Sequence, residues 1–123
     1  MNNSLLLSIL KNFDKQQLKD FSSFVKSPYF NTNKAIISLT EYIRKQHPEF
    51  SGQKLEKEFV YRKIFGKSVY NDGFFRVLMS NLQTLAEEFI SISKFRNDPL
   101  MMKKYIIDGA ASIPASRKFS ERV

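Results

Sequence analysis

The segment from Val69 to Ile92 constrains the fold more than any other part of the chain. Its apolar residues recur at alternating spacings of four and three, which places them along one face of a helix. This stripe consists of Leu78, Leu82, Leu85, Phe89 and Ile92. Other apolar residues widen the stripe and indicate neighbours on two sides; they are Phe75, Met79, Ala86 and Ile90. The pattern predicts one long central helix over about residues 72–92, with Met79, Leu82, Phe89 and Ile92 in the core.

Capping and stop signals divide the rest of the chain into shorter helices. Asp14 and Gln17 form a capping box ahead of one helix, and Pro28 ends it. Gly66 suits a helix C-terminus, and Asp98 followed by Pro99 suits a helix start. The predicted helices are Ser4 to about Asn12, Asp14 to Ser27, Thr32 or Asn33 to about Gln46, about Lys54 to Phe65, Asn71 or Asp72 to Ile92, and Pro99 to about Ile107. Between the second and third helices, we expect the loop aromatics Tyr29 and Phe30 to be tucked into the core.

These elements predict an all-α fold, a single compact bundle of five to six helices packed around the long central one. A chain of 123 residues has the length of one domain. Residues 1–108 are predicted to form the helical domain. Residues 109–123 are predicted to form a basic C-terminal tail or a short helix, because Gly109 and Pro114 interrupt the helical pattern there.

The composition argues against an enzyme and against a metal or cofactor site. The chain has no cysteine and a single histidine, His47, so thiolate chemistry and the usual zinc and histidine-base arrangements lack their residues. Glu87 and Glu88 are adjacent, so their side chains diverge by about 100° on a helix and cannot converge on one ion. The four glycines are too dispersed for a phosphate-binding loop. We therefore expect no catalytic residue, no metal, no cofactor and no small-molecule substrate.

Hydropathy and the start of the chain indicate the compartment. The first residues lack the basic leader of a signal peptide, and no run approaches the roughly 20 apolar residues that span a bilayer. The absence of cysteine fits a reducing environment. We expect a cytoplasmic protein with no membrane partner.

The positive charge is concentrated toward the C-terminus. The chain carries a formal net charge of +8. Such a surface attracts phosphates, and basic side chains interleaved with aromatic ones such as Phe95 and Tyr105 can hold single strands. The candidate nucleic-acid-binding residues are Arg76, Lys94, Arg96, Lys103 and Lys104. The alternative is an ordinary soluble surface, with the lysines outward and the aromatics inward.

The last predicted helix carries more apolar residues than one buried face requires. These residues are Leu100, Met101, Met102, Ile106 and Ile107. They predict a protein interface, either with further copies of the chain or with the rest of a longer chain. From the sequence we therefore predict a non-enzymatic binding or scaffolding module that contacts protein, and as the alternative a nucleic-acid-binding helical domain.

Three segments together resemble a known set of proteins. They are Phe24–Asn31, His47–Phe50 and Tyr70–Leu82, and they are similar to the N-terminal region of a large set of uncharacterised proteins from Bacteroidota. The resemblance covers roughly residues 5–108. It implies a helical domain of a longer bacterial protein and carries over no activity, cofactor or catalytic residue.

A second, weaker resemblance concerns residues 54–92, which are similar to the helix-turn-helix core of bacterial winged-helix regulators. It implies that the N-terminal residues of the long helix would enter the major groove of DNA. The positions concerned are Asn71, Asp72, Phe74, Arg76 and Ser80.

Overall fold

The structure is a computed structural model and describes residues 5–47, 49–50, 52–66 and 69–114. These residues form six α-helices and no strand, which confirms the predicted all-α class. The elements are α1 (Leu5–Lys11), α2 (Lys15–Lys26), α3 (Lys34–Arg44), α4 (Lys57–Phe65), α5 (Asp72–Arg96) and α6 (Pro99–Ala111), with a short 3-10 helix at Gln53–Leu55. The chain divides into two compact units, residues 1–89 and residues 90–123.

The helix starts follow the capping residues that the sequence predicts. Asp14 accepts a hydrogen bond from the backbone N–H of Gln17, and the Gln17 side chain accepts one from the N–H of Asp14, which completes the capping box. Asn33 caps α3 by accepting from the first-turn N–H groups. Asp98 caps α6 with Pro99 at the first helical position. Gly66 ends α4 with a positive φ of 66°, as its predicted role requires.

Three helix boundaries differ from the prediction. α5 continues past Ile92 to Arg96, because no glycine or proline interrupts it before Asp98 and Pro99. α6 continues past Ile107 to Ala111, since one internal glycine costs only about 1 kcal/mol and two alanines follow it. Residues 53–55 form a separate 3-10 turn, so α4 starts later than predicted. The predicted start at Ser4 and the predicted tail beyond Pro114 lie outside the described residues.

The first unit is built around an apolar core to which α1–α5 all contribute. From α5, the residues Phe75, Leu78, Leu82, Leu85 and Ala86 are buried, as the periodicity predicts. Their partners from the other elements are Leu6, Leu7, Leu10, Phe13, Leu18, Phe21, Val25, Ile36, Leu39, Ile43, Phe50, Leu55, Val60 and Tyr61. Met79 and Phe89 are half-buried and pack against this core.

Phenylalanine rings join α2 and α5 inside this core. Phe89 of α5 packs within 5.7 Å, centroid to centroid, of the rings of Phe13, Phe21 and Phe24. The ring of Phe30 stacks on that of Phe24 with 4.3 Å between their centroids, in agreement with the prediction that this loop residue packs into the core. Tyr29 does not follow the prediction: it is 89% exposed, because only one of two successive loop side chains faces the core.

One polar contact between α2 and α3 in the first unit is partly buried. The hydroxyl of Ser22, on a buried position of α2, donates to the carboxylate of Glu41 on α3. Lys26 approaches the same carboxylate at 3.1 Å. The Ser22 hydrogen bond, with the positive charges of Lys26 and Arg44, holds the pKa of Glu41 below its usual value despite partial burial. α2 and α3 are therefore joined by a charge-assisted contact beside their apolar one.

The second unit, as far as it is described, consists of the end of α5, a two-residue connection at Asn97 and Asp98, and α6. The ring of Phe95 lies 5.5 Å from the ring of Tyr105, so α6 folds back on the end of α5. None of residues 90–114 is buried. The prediction that Ile92 lies in the core is wrong. Its side chain is half-buried, because it lies beyond the core of the first unit, in a unit without buried residues among those described. Among the described residues, no helix combines the length and apolar character needed to cross a bilayer.

Candidate functional site

α6 exposes a large apolar surface. No residue of this helix is buried, and Leu100 is 81% exposed. Ile106 and Ile107 are each more than half exposed, whereas Met101 is 41% exposed and Met102 is half-buried. Single exposed hydrophobic residues are normal, but a contiguous apolar patch marks an interaction surface. All five residues predicted as a protein interface lie on α6, and four of them are exposed to solvent.

An open groove of about 440 Å³ runs along α6. On the described part of the chain, its lining is Asp98, Leu100, Met101, Lys103, Lys104, Ile107 and Asp108. Leu100 and Ile107 are seven residues apart, which is two helical turns, so both side chains lie on the same face. We define this groove by its lining residues as the α6 groove.

Four basic side chains lie on the described part of the second unit. Lys103 and Lys104 line the α6 groove beside Asp98 and Asp108, and Lys94 and Arg96 lie in the last turn of α5. All four side chains are exposed, and within the described residues none forms an ion pair. Four of the five predicted nucleic-acid-binding residues thus belong to the same unit and keep their charge available to a partner.

The fifth, Arg76, belongs to the first unit and is already paired. Its Nε donates to Asp72 one turn earlier in α5, at 2.7 Å. The other oxygen of that carboxylate accepts from the hydroxyl of Tyr70 at 2.7 Å and faces Nζ of Lys57 at 3.8 Å. These partners, chiefly the Tyr70 hydrogen bond, lower the pKa of Asp72. Burial and the Asp72 contact raise the pKa of Tyr70 to about 12.

This network determines what the start of α5 can bind. The carboxylate of Asp72 sits in the first helical turn, where negative charge complements the helix dipole. The side chain of Asn71 accepts from the N–H of Phe74 and supplies the cap. A phosphate approaching here would meet a carboxylate and an occupied cap. Sequence reasoning missed the contacts of Asp72 with Tyr70 and Lys57, because no helix spacing or capping motif links these residues.

A second groove, about 450 Å³, is polar and lies in the first unit. It runs between the loop that precedes α3 and the outer face of α5. Its lining residues are Phe30, Asn31, Thr32, Asn33, Ile36, Asn81, Thr84, Leu85 and Glu88. Asn31 and Asn33 are committed to structure, since both side chains bond to nearby backbone. This groove contains no convergent set of groups that defines a ligand.

No group of three or more His, Asp or Glu side chains in the described ranges is close enough together to hold a metal ion. We found no match for this chain among protein-family models, curated proteins or solved structures. The two resemblances noted from the sequence therefore stay predictions, and the candidate site rests on the chain's own geometry.

Proposed function

We propose that this chain is a non-enzymatic binding module that contacts protein through the α6 groove. The observation that supports the proposal most strongly is that α6 contains six large apolar side chains and no buried residue. These side chains are Leu100, Met101, Met102, Tyr105, Ile106 and Ile107.

The stability of α6 supports the same proposal. A helix of 13 residues is marginal by itself in water and depends on packing for its stability. Gly109 weakens it further, by about 1 kcal/mol relative to alanine. The contact between Phe95 and Tyr105 supplies packing against the end of α5, and it buries no residue of α6. A protein partner that covers Leu100 and Ile107 would bury the apolar area that α6 still exposes, whether the partner is another copy or a further part of a longer chain.

The proposal is tested by measuring the exposed apolar surface and self-association together. Light scattering gives the molar mass, and the fluorescence of the dye ANS reports accessible apolar surface. The wild-type chain is expected to bind the dye or to self-associate, and the double substitution Leu100→Gln/Ile107→Gln is expected to reduce either signal severalfold. The matched control is Leu5→Gln/Val77→Gln, which removes two apolar residues of the first unit that are also more than half exposed. A strict monomer with no dye binding that depends on Leu100 and Ile107 contradicts the proposal.

Nucleic-acid binding is the second candidate function, because the four basic residues in the range 90–114 form no ion pair with other described residues and would suit phosphates. It is tested by fluorescence anisotropy with duplex DNA and single-stranded RNA at two salt concentrations. Micromolar binding that weakens steeply with salt, and that is lost when Lys94, Arg96, Lys103 and Lys104 are changed to Glu, would establish it. Because Arg76 is paired with Asp72, Arg76→Glu alone is expected to have little effect.

A further inference from the structure

We propose that Asp108 and Gly109 form a spontaneous modification site, at which the aspartate converts to isoaspartate through a cyclic imide. The sequence contains two Asp–Gly pairs, Asp72–Gly73 and Asp108–Gly109. A glycine after the aspartate favours this reaction, because no Cβ hinders the approach of the glycine nitrogen to the aspartate side chain. The first pair begins α5, and the second lies in the last turn of α6. The proposal does not depend on the proposed function.

The reaction requires water as its only co-reactant. The backbone nitrogen of Gly109 attacks Cγ of the protonated Asp108 carboxyl, so that a C–N bond forms, a C–O bond breaks, and the hydroxyl leaves as water with the amide proton. A second water molecule then opens the imide at either carbonyl carbon. Opening at the side-chain carbon restores aspartate. Opening at the main-chain carbon gives isoaspartate, in which the chain continues through the side-chain methylene group.

The pair in α6 can reach the conformation for attack because few contacts hold this end of the helix. Helical φ and ψ angles keep the carboxyl of Asp108 away from the next backbone nitrogen, so the last turn must first open. Asp108 and Gly109 are exposed and α6 has no buried residue, so this opening loses few apolar contacts. The carboxylate of Asp108 forms no ion pair with another described residue and is free to rotate.

Charge also weakens the last turn of α6. The free carbonyl groups at the C-terminus of a helix form the negative end of its dipole, so the carboxylate of Asp108 is unfavourable there. This turn contains no basic residue that would offset the repulsion. Gly109 is in addition a weak helix former. The turn that contains the reactive pair therefore opens readily.

The pair in α5 has the opposite environment. One carboxylate oxygen of Asp72 accepts from the hydroxyl of Tyr70 and the other from Nε of Arg76, each at 2.7 Å. Attack requires Cγ of Asp72 to swing toward the nitrogen of Gly73, which breaks both hydrogen bonds. Opening of this turn would also disturb the buried ring of Phe75. The Tyr70 hydrogen bond, followed by the charge of Arg76, lowers the pKa of Asp72, so the protonated form that reacts is less populated.

Isoaspartate at position 108 changes the surface of α6. The extra methylene in the main chain breaks the helical hydrogen-bond pattern after Ile107, so α6 ends about one turn earlier. Asp108 lines the α6 groove, and the modification alters this end of it. The modified residue also presents a main-chain carboxylate, which is the group that isoaspartate-specific repair methyltransferases methylate. The aged chain is therefore a substrate for that class of enzyme.

The proposal is tested by ageing the full-length chain at physiological pH and temperature, in buffer and in concentrated guanidinium chloride. Enzymatic methylation quantifies isoaspartate, and electron-transfer fragmentation of proteolytic peptides assigns it to one of the two pairs. In buffer, isoaspartate is expected to accumulate roughly tenfold or more faster at Asp108 than at Asp72, because the end of α6 opens more readily. In the denaturant, the two rates should agree within about threefold, because both pairs then lie in unfolded chain.

Substitutions at each pair test the physical reasons separately. Asp108→Glu should abolish the signal at this position, because glutamate would have to form a larger ring. Gly109→Ala should slow it about fivefold or more, since the methyl group hinders attack and alanine stabilises the helix. The matched control is Gly73→Ala, whose added Cβ lies at an ordinary contact distance from Asn71 and should leave accumulation at Asp108 unchanged.

A further variant removes the hydrogen bonds that protect the pair in α5. Tyr70→Phe/Arg76→Gln releases the carboxylate of Asp72 and should raise isoaspartate formation there severalfold, with no change at Asp108. Circular dichroism of each variant establishes that its helix content is retained. No rise at Asp72 in a folded variant would contradict the protective role of these two side chains.

Three outcomes with the wild-type chain overturn the proposal. Equal accumulation at Asp108 and Asp72 in buffer would show that their environments do not control the reaction. Isoaspartate at neither pair in buffer, with formation at both in denaturant, would show that the last turn of α6 is as well protected as the start of α5. A preference for Asp108 that is equally large in denaturant would show that the neighbouring residues set the rates and that the folded structure does not.

Discussion

Glu41 links α2 to α3 through its carboxylate, so the stability of the first unit is expected to depend on pH. The pKa of Glu41 is lowered from its ordinary value of 4.5. A group whose pKa is lowered by folding contributes stability that is fully present above the unfolded value and is lost as the pH falls through the folded value. We therefore expect the substitution Glu41→Gln to reduce the free energy of unfolding by about 1 kcal/mol at pH 7.

The measurement is urea unfolding of wild type and variant at several pH values between 7 and 2. The difference between the two should shrink as the pH falls below about 4.5, because the wild-type carboxyl then becomes neutral as well. Glu49→Gln is the matched control, since Glu49 is exposed and forms no ion pair with described residues. If the difference in free energy of unfolding between wild type and Glu41→Gln stays constant from pH 7 to pH 2, the negative charge of Glu41 does not contribute to stability.

At the scale of elements, α5 determines the stability of the first unit through its buried face. Leu82 is fully buried, and its neighbours along the stripe, Leu78 and Leu85, are buried as well. Leu82→Ala is expected to lower the free energy of unfolding by about 2–5 kcal/mol, because it removes apolar contacts and leaves a cavity. Val77→Ala, on the exposed face of the same helix, should change it by no more than about 0.5 kcal/mol. Equal thermal midpoints for the two variants would contradict the assignment of the buried face.

The elements also show which features a sequence can reveal. Helix starts at Asp14 and Asp98 were predictable because a cap acts within four residues of itself. The buried face of α5 was predictable because burial imposes the period of the helix. The sequence pattern predicted ends for α5 and α6 that lie four residues too early. Weak helix formers and a single glycine lower the stability of a helix but do not end it.

Contacts between distant residues were not predictable in the same way. The pair Ser22 and Glu41 is separated by 19 positions, and no local pattern marks it. The exposure of Tyr29 depends on how the loop before α3 turns, which the neighbouring residues alone do not determine. For the candidate site, the excess of apolar residues on the last helix was readable from the sequence. The pairing of Arg76 with Asp72 spans one helical turn and was also readable, whereas the contacts of Asp72 with Tyr70 and Lys57 became clear only from the geometry.

At the scale of the whole molecule, the two units differ in how much apolar surface they bury. The described residues of the first unit include 19 buried hydrophobic side chains, whereas none of residues 90–114 is buried. Local opening requires little free energy where few apolar contacts are lost. In the free chain we therefore expect the backbone amides of α6 to exchange with deuterium at least 100-fold faster than those of α2 and α3.

Hydrogen exchange measured by mass spectrometry, with fragments that separate α2, α3 and α6, tests this difference directly. The variant Leu100→Gln/Ile107→Gln should show equally fast exchange in α6, because both side chains are exposed in the free chain and contribute little to its packing. Equal protection of α6 and the first unit in the free chain would mean that α6 is already stabilised without a partner, and the exposed apolar surface would then no longer support a docking role.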